Sequence, residues 1–212
     1  MIKTIIFDLD GTLLNTLEDL KESTNFALCR FGYPKRTLDE VRCFVGNGVR
    51  KLIERAVPEN CKNVDECLEV FKKNYSENMY NHTQPYNGIL EMLEELHKEN
   101  LKIGVVSNKF DSAVKDLCKK YFGNLVDAAI GQCDDVPKKP APDGVLKAMK
   151  ILNSDKSSTL YAGDSDVDVQ TAHNAGLKCI GVTWGFRTRD YLNGADFIVD
   201  SPEEILKIVR SL

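Results

Sequence analysis

Two aspartates near the start of the chain are the clearest candidates for chemistry. Asp8 and Asp10 follow the apolar run 5–7 and precede Gly11. An apolar, β-branched run closed by an Asp-Gly turn signal predicts a buried strand, which would carry these carboxylates at its carboxyl end. Because ligands of open α/β sheets bind at that edge, the pair predicts a site there.

Further polar residues follow later predicted strands, and we expect them at the same edge of the sheet: Ser107 with Asn108, then Lys139, then Asp164 with Asp168. Asp8, Asp10 and Asp164 offer hard oxygen donors without a neighbouring His or Cys, and such donors suit Mg²⁺. Lys139 and the backbone amides after Ser107, at the start of a predicted helix, offer positive partners for an anion. A cation site beside an anion site predicts that the protein binds a phosphate group.

The two carboxylates of the first motif can divide the hydrolysis of a phosphate ester between them. One carboxylate can attack phosphorus to form an aspartyl phosphate, which splits one difficult hydrolysis into two easier displacements. Asp10 would then protonate the leaving oxygen and later deprotonate the water that attacks the phosphoenzyme. Mg²⁺ and Lys139 would stabilise the charge on the transferring oxygens.

The order of apolar and polar residues predicts the elements that position these groups. After Ile89 helical and strand spacing alternate, with strands predicted at 101–106, 128–130, 159–162, 179–182 and 197–199 and helices at 111–121, 145–152 and 167–174. Such alternation predicts an α/β fold, a Rossmann-like parallel sheet with helices on both faces. Residues 15–83 have helical spacing and few strand signals, so we predict an inserted helical subdomain there and an α/β core domain from residues 1–14 and 84–212.

These motifs resemble those of the haloacid dehalogenase (HAD)-like hydrolase superfamily, specifically its phosphoglycolate phosphatase-like branch. The resemblance covers essentially the whole chain: Asp8-Leu9-Asp10-Gly11-Thr12 is similar to the first motif, Ser107-Asn108 to the second, Lys139 in Lys-Pro-Ala-Pro-Asp to the third, and Asp164 with Asp168 to the fourth. It implies a HAD-like core with a helical cap that closes over the substrate. It also implies an Mg²⁺-dependent phosphatase of a small phosphorylated metabolite, with phosphoglycolate as one candidate.

The resemblance implies a role for each matched residue of the catalytic motifs. Asp8 is expected to be the nucleophile and Asp10 the general acid and base. Lys139 is expected to assist catalysis and to bind the phosphate together with Ser107 and Asn108.

The resemblance also implies how the metal is held. Mg²⁺ is expected to bind Asp8, the backbone carbonyl of Asp10, and Asp164. Asp168 is expected to support this site, either as a further ligand or as a partner of Lys139.

The substrate and the competing activities stay open at this point. In the insert, Gly46-Asn47-Gly48 with Arg50 resembles the specificity loop of the branch, which makes Arg50 a candidate substrate contact. Pyrophosphate, sugar phosphates and nucleoside monophosphates are alternatives to phosphoglycolate. The β-phosphoglucomutase relatives carry a His where this chain has Leu20, which disfavours such a phosphotransferase. A phospho-accepting signalling module is an alternative of another class, and Asp10 disfavours it by supplying the base for dephosphorylation.

Composition and charge exclude other classes of protein. The 212 residues include 28 Lys and Arg against 32 Asp and Glu, with no basic block, so we expect no nucleic-acid partner. No stretch is apolar enough for a transmembrane helix, so we expect no membrane partner. Seven cysteines without a Cys-x-x-Cys motif indicate reduced thiols and a cytoplasmic location. We expect a monomer or a weak homodimer.

Overall fold

A six-stranded parallel sheet carries the polar motifs identified in the sequence. The computed structural model describes residues 1–212, which divide into unit 1 (Met1–Leu14 and Pro85–Leu212) and unit 2 (Asn15–Gln84). In chain order the strands are β1 (Thr4–Phe7), β2 (Leu14–Asn15), β3 (Gln84–Pro85), β4 (Lys102–Phe110), β5 (Ala128–Gln132), β6 (Thr159–Gly163), β7 (Lys178–Val182) and β8 (Phe197–Val199). The helices are α1 (Leu17–Arg30), α2 (Leu38–Phe44), α3 (Val49–Ala56), α4 (Val64–Asn78), α5 (Ile89–Lys98), α6 (Asp111–Phe122), α7 (Asp143–Leu152), α8 (Asp166–Ala175) and α9 (Pro202–Ser211).

The sheet of unit 1 has the strand order β5-β4-β1-β6-β7-β8, so β1 lies between β4 and β6. In this register Phe7 is paired with Val105 and Ala162, and every residue of β1 is buried. A central strand of a parallel sheet is covered on both faces, which is why β1 is an apolar run rather than an alternating one. The predicted α/β fold with a Rossmann-like parallel sheet is confirmed. None of the helices combines the length and the hydropathy that crossing a membrane would require.

One local prediction is wrong. The amides after Ser107 do not begin a helix, because β4 continues to Phe110 and α6 starts only at Asp111. The register between β4 and β5 shifts between Val106 and Phe110, which marks a bulge-like irregularity at the polar end of the strand. The side chains of Asn108 and Lys109 stay buried there because other parts of unit 1 supply their polar partners.

Unit 2 contains α1 to α4, and its apolar side chains pack among these helices. Phe71 and Tyr75 of α4 are fully buried with their rings stacked 5.5 Å apart. At the start of α2, Thr37 and Glu40 form a reciprocal capping box, with each side chain accepting the other residue's amide. The strands β2 and β3 pair with each other as a separate two-stranded sheet.

Candidate functional site

Asp8 lies immediately after β1 and is held by the neighbouring strand. Its amide donates a hydrogen bond of 2.9 Å to the carbonyl of Ala162 in β6. The turn that follows contains Gly11 at φ +86°, where a Cβ would lie 2.4 Å from Oδ2 of Asp164. Glycine at this position therefore allows both the left-handed backbone and the close approach of Asp164 to the end of β1.

Lys139 joins the motifs at the carboxyl edge of the sheet. Its Nζ lies 2.7 Å from Oδ1 of Asp168, 3.0 Å from the hydroxyl of Tyr161 and 2.9 Å from Oδ1 of Asp8. The contact with Asp8 is an ion pair and not a hydrogen bond, because Oδ1 of Asp8 has no hydrogen-bond partner. Lys139 is buried, and its ammonium group lies among these three oxygens at the end of β1.

Asn108 fixes the backbone of Lys139. The amide of Lys139 donates to Oδ1 of Asn108 at 2.8 Å, and Nδ2 of Asn108 donates to the Lys139 carbonyl at 3.1 Å. Ser107 lies next to Asn108 in β4, and its Oγ accepts the amide of Lys109 at 3.3 Å. The structure therefore places the second and third motifs in direct contact, as their positions after predicted strands led us to expect.

Three buried carboxylates form the acidic cluster at this edge. Asp8, Asp164 and Asp168 each offer an oxygen, and these oxygens lie within 4.8 Å of one another. Asp168 already accepts four hydrogen bonds, from Lys139 and Tyr161 at Oδ1 and from the amide and hydroxyl of Ser165 at Oδ2.

A carboxylate has about four acceptor positions, so Asp168 has none left for a metal ion. Asp164 accepts only the amide of Phe186, at 2.6 Å to Oδ2. Asp8 and Asp164 are therefore the side chains of the cluster with oxygens available to a cation. Between the two expectations for Asp168, the geometry favours a partner of Lys139.

Burial changes the protonation of this cluster. It raises the pKa of Asp8 to about 7, a rise that Lys139 opposes and that Asp168 and Asp10 increase. It also raises the pKa of Asp164 well above its usual value, with Asp168 and Asp8 adding to the effect. A divalent cation would supply the positive charge that allows both groups to ionise, so the residues present fit a metal ion.

Asp10 has a different partner, which the sequence interpretation missed. Nζ of Lys109 lies 2.9 Å from Oδ1 and 3.0 Å from Oδ2 of Asp10, and Lys109 is buried. Asp8 and Asp10 thus engage different lysines, although they are two residues apart. The only signal in the sequence was a lysine directly after Ser107-Asn108, at the polar end of a predicted strand.

The loop after β7 covers one side of the acidic cluster and was also not identified from the sequence. The amide of Phe186 holds Asp164, and Nε1 of Trp184 donates to the carbonyl of Thr12 at 3.0 Å. A Cβ at Gly185 would lie 2.4 Å from Oδ2 of Asp164, so the loop backbone packs directly against that carboxylate.

Arg50 is the predicted site residue that belongs to unit 2. It lies in α3, where its guanidinium pairs with Asp65 at 2.5 Å and with Glu54 at 3.9 Å. Its side chain is 48% exposed. These contacts do not test whether Arg50 contacts a substrate, so that role stays a prediction.

Comparison with known proteins shows similarity along nearly the whole chain. The family model for haloacid dehalogenase-like hydrolases matches residues 5–182. A phosphoglycolate phosphatase of Aquifex aeolicus is 32% identical over 211 residues, covering 98% of this chain and 97% of that protein. Another from Vibrio parahaemolyticus is 34% identical and covers 98% and 96%. A crystal structure from Lactobacillus delbrueckii subsp. bulgaricus, assigned as a phosphoglycolate phosphatase, has a TM-score of 0.92 at 33% identity and covers 98% of each chain.

Proposed function

This chain belongs to the haloacid dehalogenase-like hydrolases, and we propose that it is a phosphatase of small phosphate monoesters with phosphoglycolate as the first substrate to test. The observation that carries the proposal is the position of Asp8. Its carboxylate stands at the end of the central strand, 2.9 Å from a buried ammonium and within 4.8 Å of other carboxylates. A carboxylate in this position can act as a nucleophile next to a cationic group that attracts phosphate. The phosphoglycolate phosphatases of Aquifex aeolicus and Vibrio parahaemolyticus, to which this chain is similar along nearly its whole length, support the proposal.

In the proposed first step, an oxygen of Asp8 attacks the phosphorus of the ester. A bond forms between that oxygen and phosphorus as the bond from phosphorus to the ester oxygen breaks. Asp10, which takes up a proton from solvent when the anionic ester binds, gives this proton to the leaving oxygen, so the alcohol departs neutral. Lys139 neutralises negative charge on the transferring group, and Asn108 keeps Lys139 in place through two hydrogen bonds.

In the proposed second step, water attacks the phosphorus of the aspartyl phosphate. Asp10 takes the proton of this water, the bond between phosphorus and Asp8 breaks, and inorganic phosphate is released. The same group thus acts as an acid and then as a base, and both aspartates return to their resting states once Asp10 releases this proton to solvent with the phosphate. The two hydrogen bonds from Lys109 fix the position of the Asp10 carboxylate in the resting protein.

Phosphatases of this family generally use a divalent metal ion, and the acidic cluster fits one. We propose Mg²⁺, held by Asp8, the carbonyl of Asp10 and Asp164, because every donor is a hard oxygen. When bound, Mg²⁺ would supply positive charge to the phosphoryl oxygens. Asp168 would not bind the ion but would hold the ammonium group of Lys139 in place through its hydrogen bond.

We also propose that unit 2 is the cap implied by the family resemblance and that Arg50 contributes to substrate selection. If so, Arg50→Ala raises KM for the best substrate with little change in kcat. Arg42→Ala is the matched control, because Arg42 is a similarly exposed arginine of unit 2 that pairs with Asp39. Equal KM values for the two variants would contradict the assignment of Arg50.

All seven cysteines are free thiols, which supports our proposal that the protein acts in the reducing cytoplasm. We propose that it does so as a monomer or a weak homodimer. Sedimentation velocity over a range of protein concentrations measures this directly, and a stable higher oligomer would contradict it.

The proposed activity is tested by phosphate release from a panel of phosphoglycolate, sugar phosphates, nucleoside monophosphates and pyrophosphate. Each substrate is measured with Mg²⁺ and with chelator, and Asp8→Asn is the blank. We expect metal-dependent release that is absent from the blank, with phosphoglycolate among the best substrates. No release from any compound by the wild-type protein would contradict the proposal.

A further inference from the structure

Unit 2 contains a cluster of metal-ligating side chains that the proposed reaction does not use. Asp19 and Glu22 lie one turn apart on α1, and His82 follows α4. One ligand atom from each of the three lies within 4.8 Å of the others, and Nε2 of His82 is 3.5 Å from Oε1 of Glu22. Residues three apart on a helix share a face, so the two carboxylates point to the same side of α1.

The backbone around residue 82 is held by Asp19. Oδ1 of the buried Asp19 accepts the amide of His82 at 2.9 Å. Its Oδ2 accepts the amide of Thr83 at 2.9 Å and the hydroxyl of Thr83 at 2.7 Å. Each carboxylate oxygen has two acceptor positions, so Oδ2 is filled while Oδ1 keeps one position for another ligand. The same contact fixes His82 next to that position.

A buried hydroxyl group supplies the second, independent observation. Ser23 is fully buried, and its Oγ has no hydrogen-bond partner. It lines a cavity of about 200 Å³ together with Asp19 and Glu22, and the other lining residues are Phe26, Asn74, Asn78 and Asn81. An unpartnered buried hydroxyl is unfavourable, so its presence beside two carboxylates indicates a polar occupant of the cavity.

We propose that Asp19, Glu22 and His82 bind a divalent transition-metal ion of the zinc type, with a coordinated water that accepts the hydrogen bond of Ser23. One imidazole nitrogen and two carboxylate oxygens are donors that zinc accepts, and they leave a fourth, open position of a tetrahedral site. Bonds of about 2.0–2.2 Å require these side chains to draw together. Glu22 and His82 can do so because their side chains are 49% and 50% exposed.

This site differs in chemistry from the acidic cluster at the sheet edge. The cluster around Asp8 contains only oxygen donors, which suit Mg²⁺, whereas an imidazole nitrogen favours zinc and its neighbours among the transition metals. The ion would join α1 to the segment after α4, which are close to the two ends of unit 2 in sequence. We therefore expect bound zinc to stabilise the helices of unit 2.

Equilibrium dialysis against zinc in a large excess of Mg²⁺ tests the site, since the excess of Mg²⁺ occupies the all-oxygen cluster. We expect wild type and His97→Ala, which removes an exposed histidine of unit 1, to bind one equivalent of zinc. His82→Ala removes a ligand and Glu22→Gln replaces a charged ligand by a neutral amide, so each should weaken the binding by about 100-fold, the upper end of what the loss of a merely supporting group costs. Ser23→Ala should weaken it by about 10-fold, as the loss of a group that supports a ligand does.

Two further measurements separate a metal site from a merely structural role. In nuclear magnetic resonance spectra of the imidazole nitrogens, zinc should shift His82 and leave His97 unchanged. Without metal, Ser23→Ala should unfold at the same or a higher temperature than wild type, because it removes an unpartnered hydroxyl. The proposal is overturned if His82→Ala binds zinc as tightly as wild type, or if zinc does not shift the His82 resonances.

Discussion

Replacing Lys109 by Met should reveal how strongly the buried pair with Asp10 supports the core. Met keeps the length of the side chain and removes its charge. The side chains of Lys109 and Asp10 are only 2% and 12% exposed, so Asp10 would lose two hydrogen bonds where little water can replace them. Removing one partner of a buried pair costs about 3–5 kcal/mol. Because Asp10 keeps some exposure, we expect the lower end, about 3 kcal/mol.

The matched control is Lys147→Met. Lys147 pairs with Asp135 at 3.3 Å, but these side chains are 44% and 76% exposed. Water screens such a pair, so its loss should change the free energy of unfolding by less than about 1 kcal/mol. The two substitutions therefore make the same chemical change, one in a buried and one in an exposed environment.

Urea unfolding followed by fluorescence measures both variants. Trp184 is the only tryptophan and lies in unit 1, so its emission reports on the unit that contains both lysines. The double variant Lys109→Met, Asp10→Asn also removes the negative charge of Asp10, which the single change Lys109→Met leaves without its lysine partner. The double variant should therefore be more stable than the sum of the single changes by about 2 kcal/mol. Additivity within about 0.5 kcal/mol would refute a coupled buried pair.

Three further changes test the geometry at the carboxyl edge of the sheet. Gly11→Ala should abolish phosphate release through its clash with Asp164, whereas Gly32→Ala, at φ +69° with open space around it, should cost only about 1 kcal/mol of stability. Tyr161→Phe removes hydrogen bonds to Lys139 and Asp168, so kcat should fall by about 10-fold with KM unchanged. Burial raises the pKa of Asp8 to about 7, so the native metal-free protein binds more protons than the unfolded chain, and its unfolding free energy should fall as pH rises from about 4 to about 7.

Each of these expectations has an outcome that contradicts it. Activity of Gly11→Ala close to wild type would mean that the turn and Asp164 are not packed as described. A wild-type kcat for Tyr161→Phe would mean that the hydroxyl of Tyr161 does not position Lys139. An unfolding free energy of the metal-free protein that does not fall between about pH 4 and about pH 7 would contradict the raised pKa of Asp8. Addition of a divalent ion should also raise the unfolding temperature more at about pH 8 than at about pH 5, and an equal rise would contradict a buried acidic metal site.

The elements of unit 1 were largely predictable because their patterns are local. The apolar run of β1 and the alternation of helices and strands after Ile89 define a parallel sheet, and the polar residues after its strands meet at one edge. The contact between Asn108 and Lys139 agrees with this expectation, although the particular bonds could not be derived from it. A strand pattern indicates which edge a residue reaches, but not which atoms it contacts.

The features that the sequence did not show depend on tertiary partners. β4 was expected to end with its apolar residues, yet Lys109 stays in the strand because Asp10, distant in sequence, pairs with it. Likewise, the amide of Phe186 reaches Asp164 across a loop that has no motif. Polar residues that are buried by distant partners leave no periodic signal, so spacing alone identifies neither contact.

The most direct test of the proposed mechanism is to trap the phosphoenzyme. Asp10→Asn should still react with an ester whose leaving group needs no protonation, such as para-nitrophenyl phosphate, but should hydrolyse the intermediate slowly for lack of a base. After a rapid acid quench, peptide mass spectrometry should find one phosphoryl group on Asp8 and none in the variant that also carries Asp8→Asn. Release of para-nitrophenol by Asp10→Asn without phosphate on Asp8 would contradict the account.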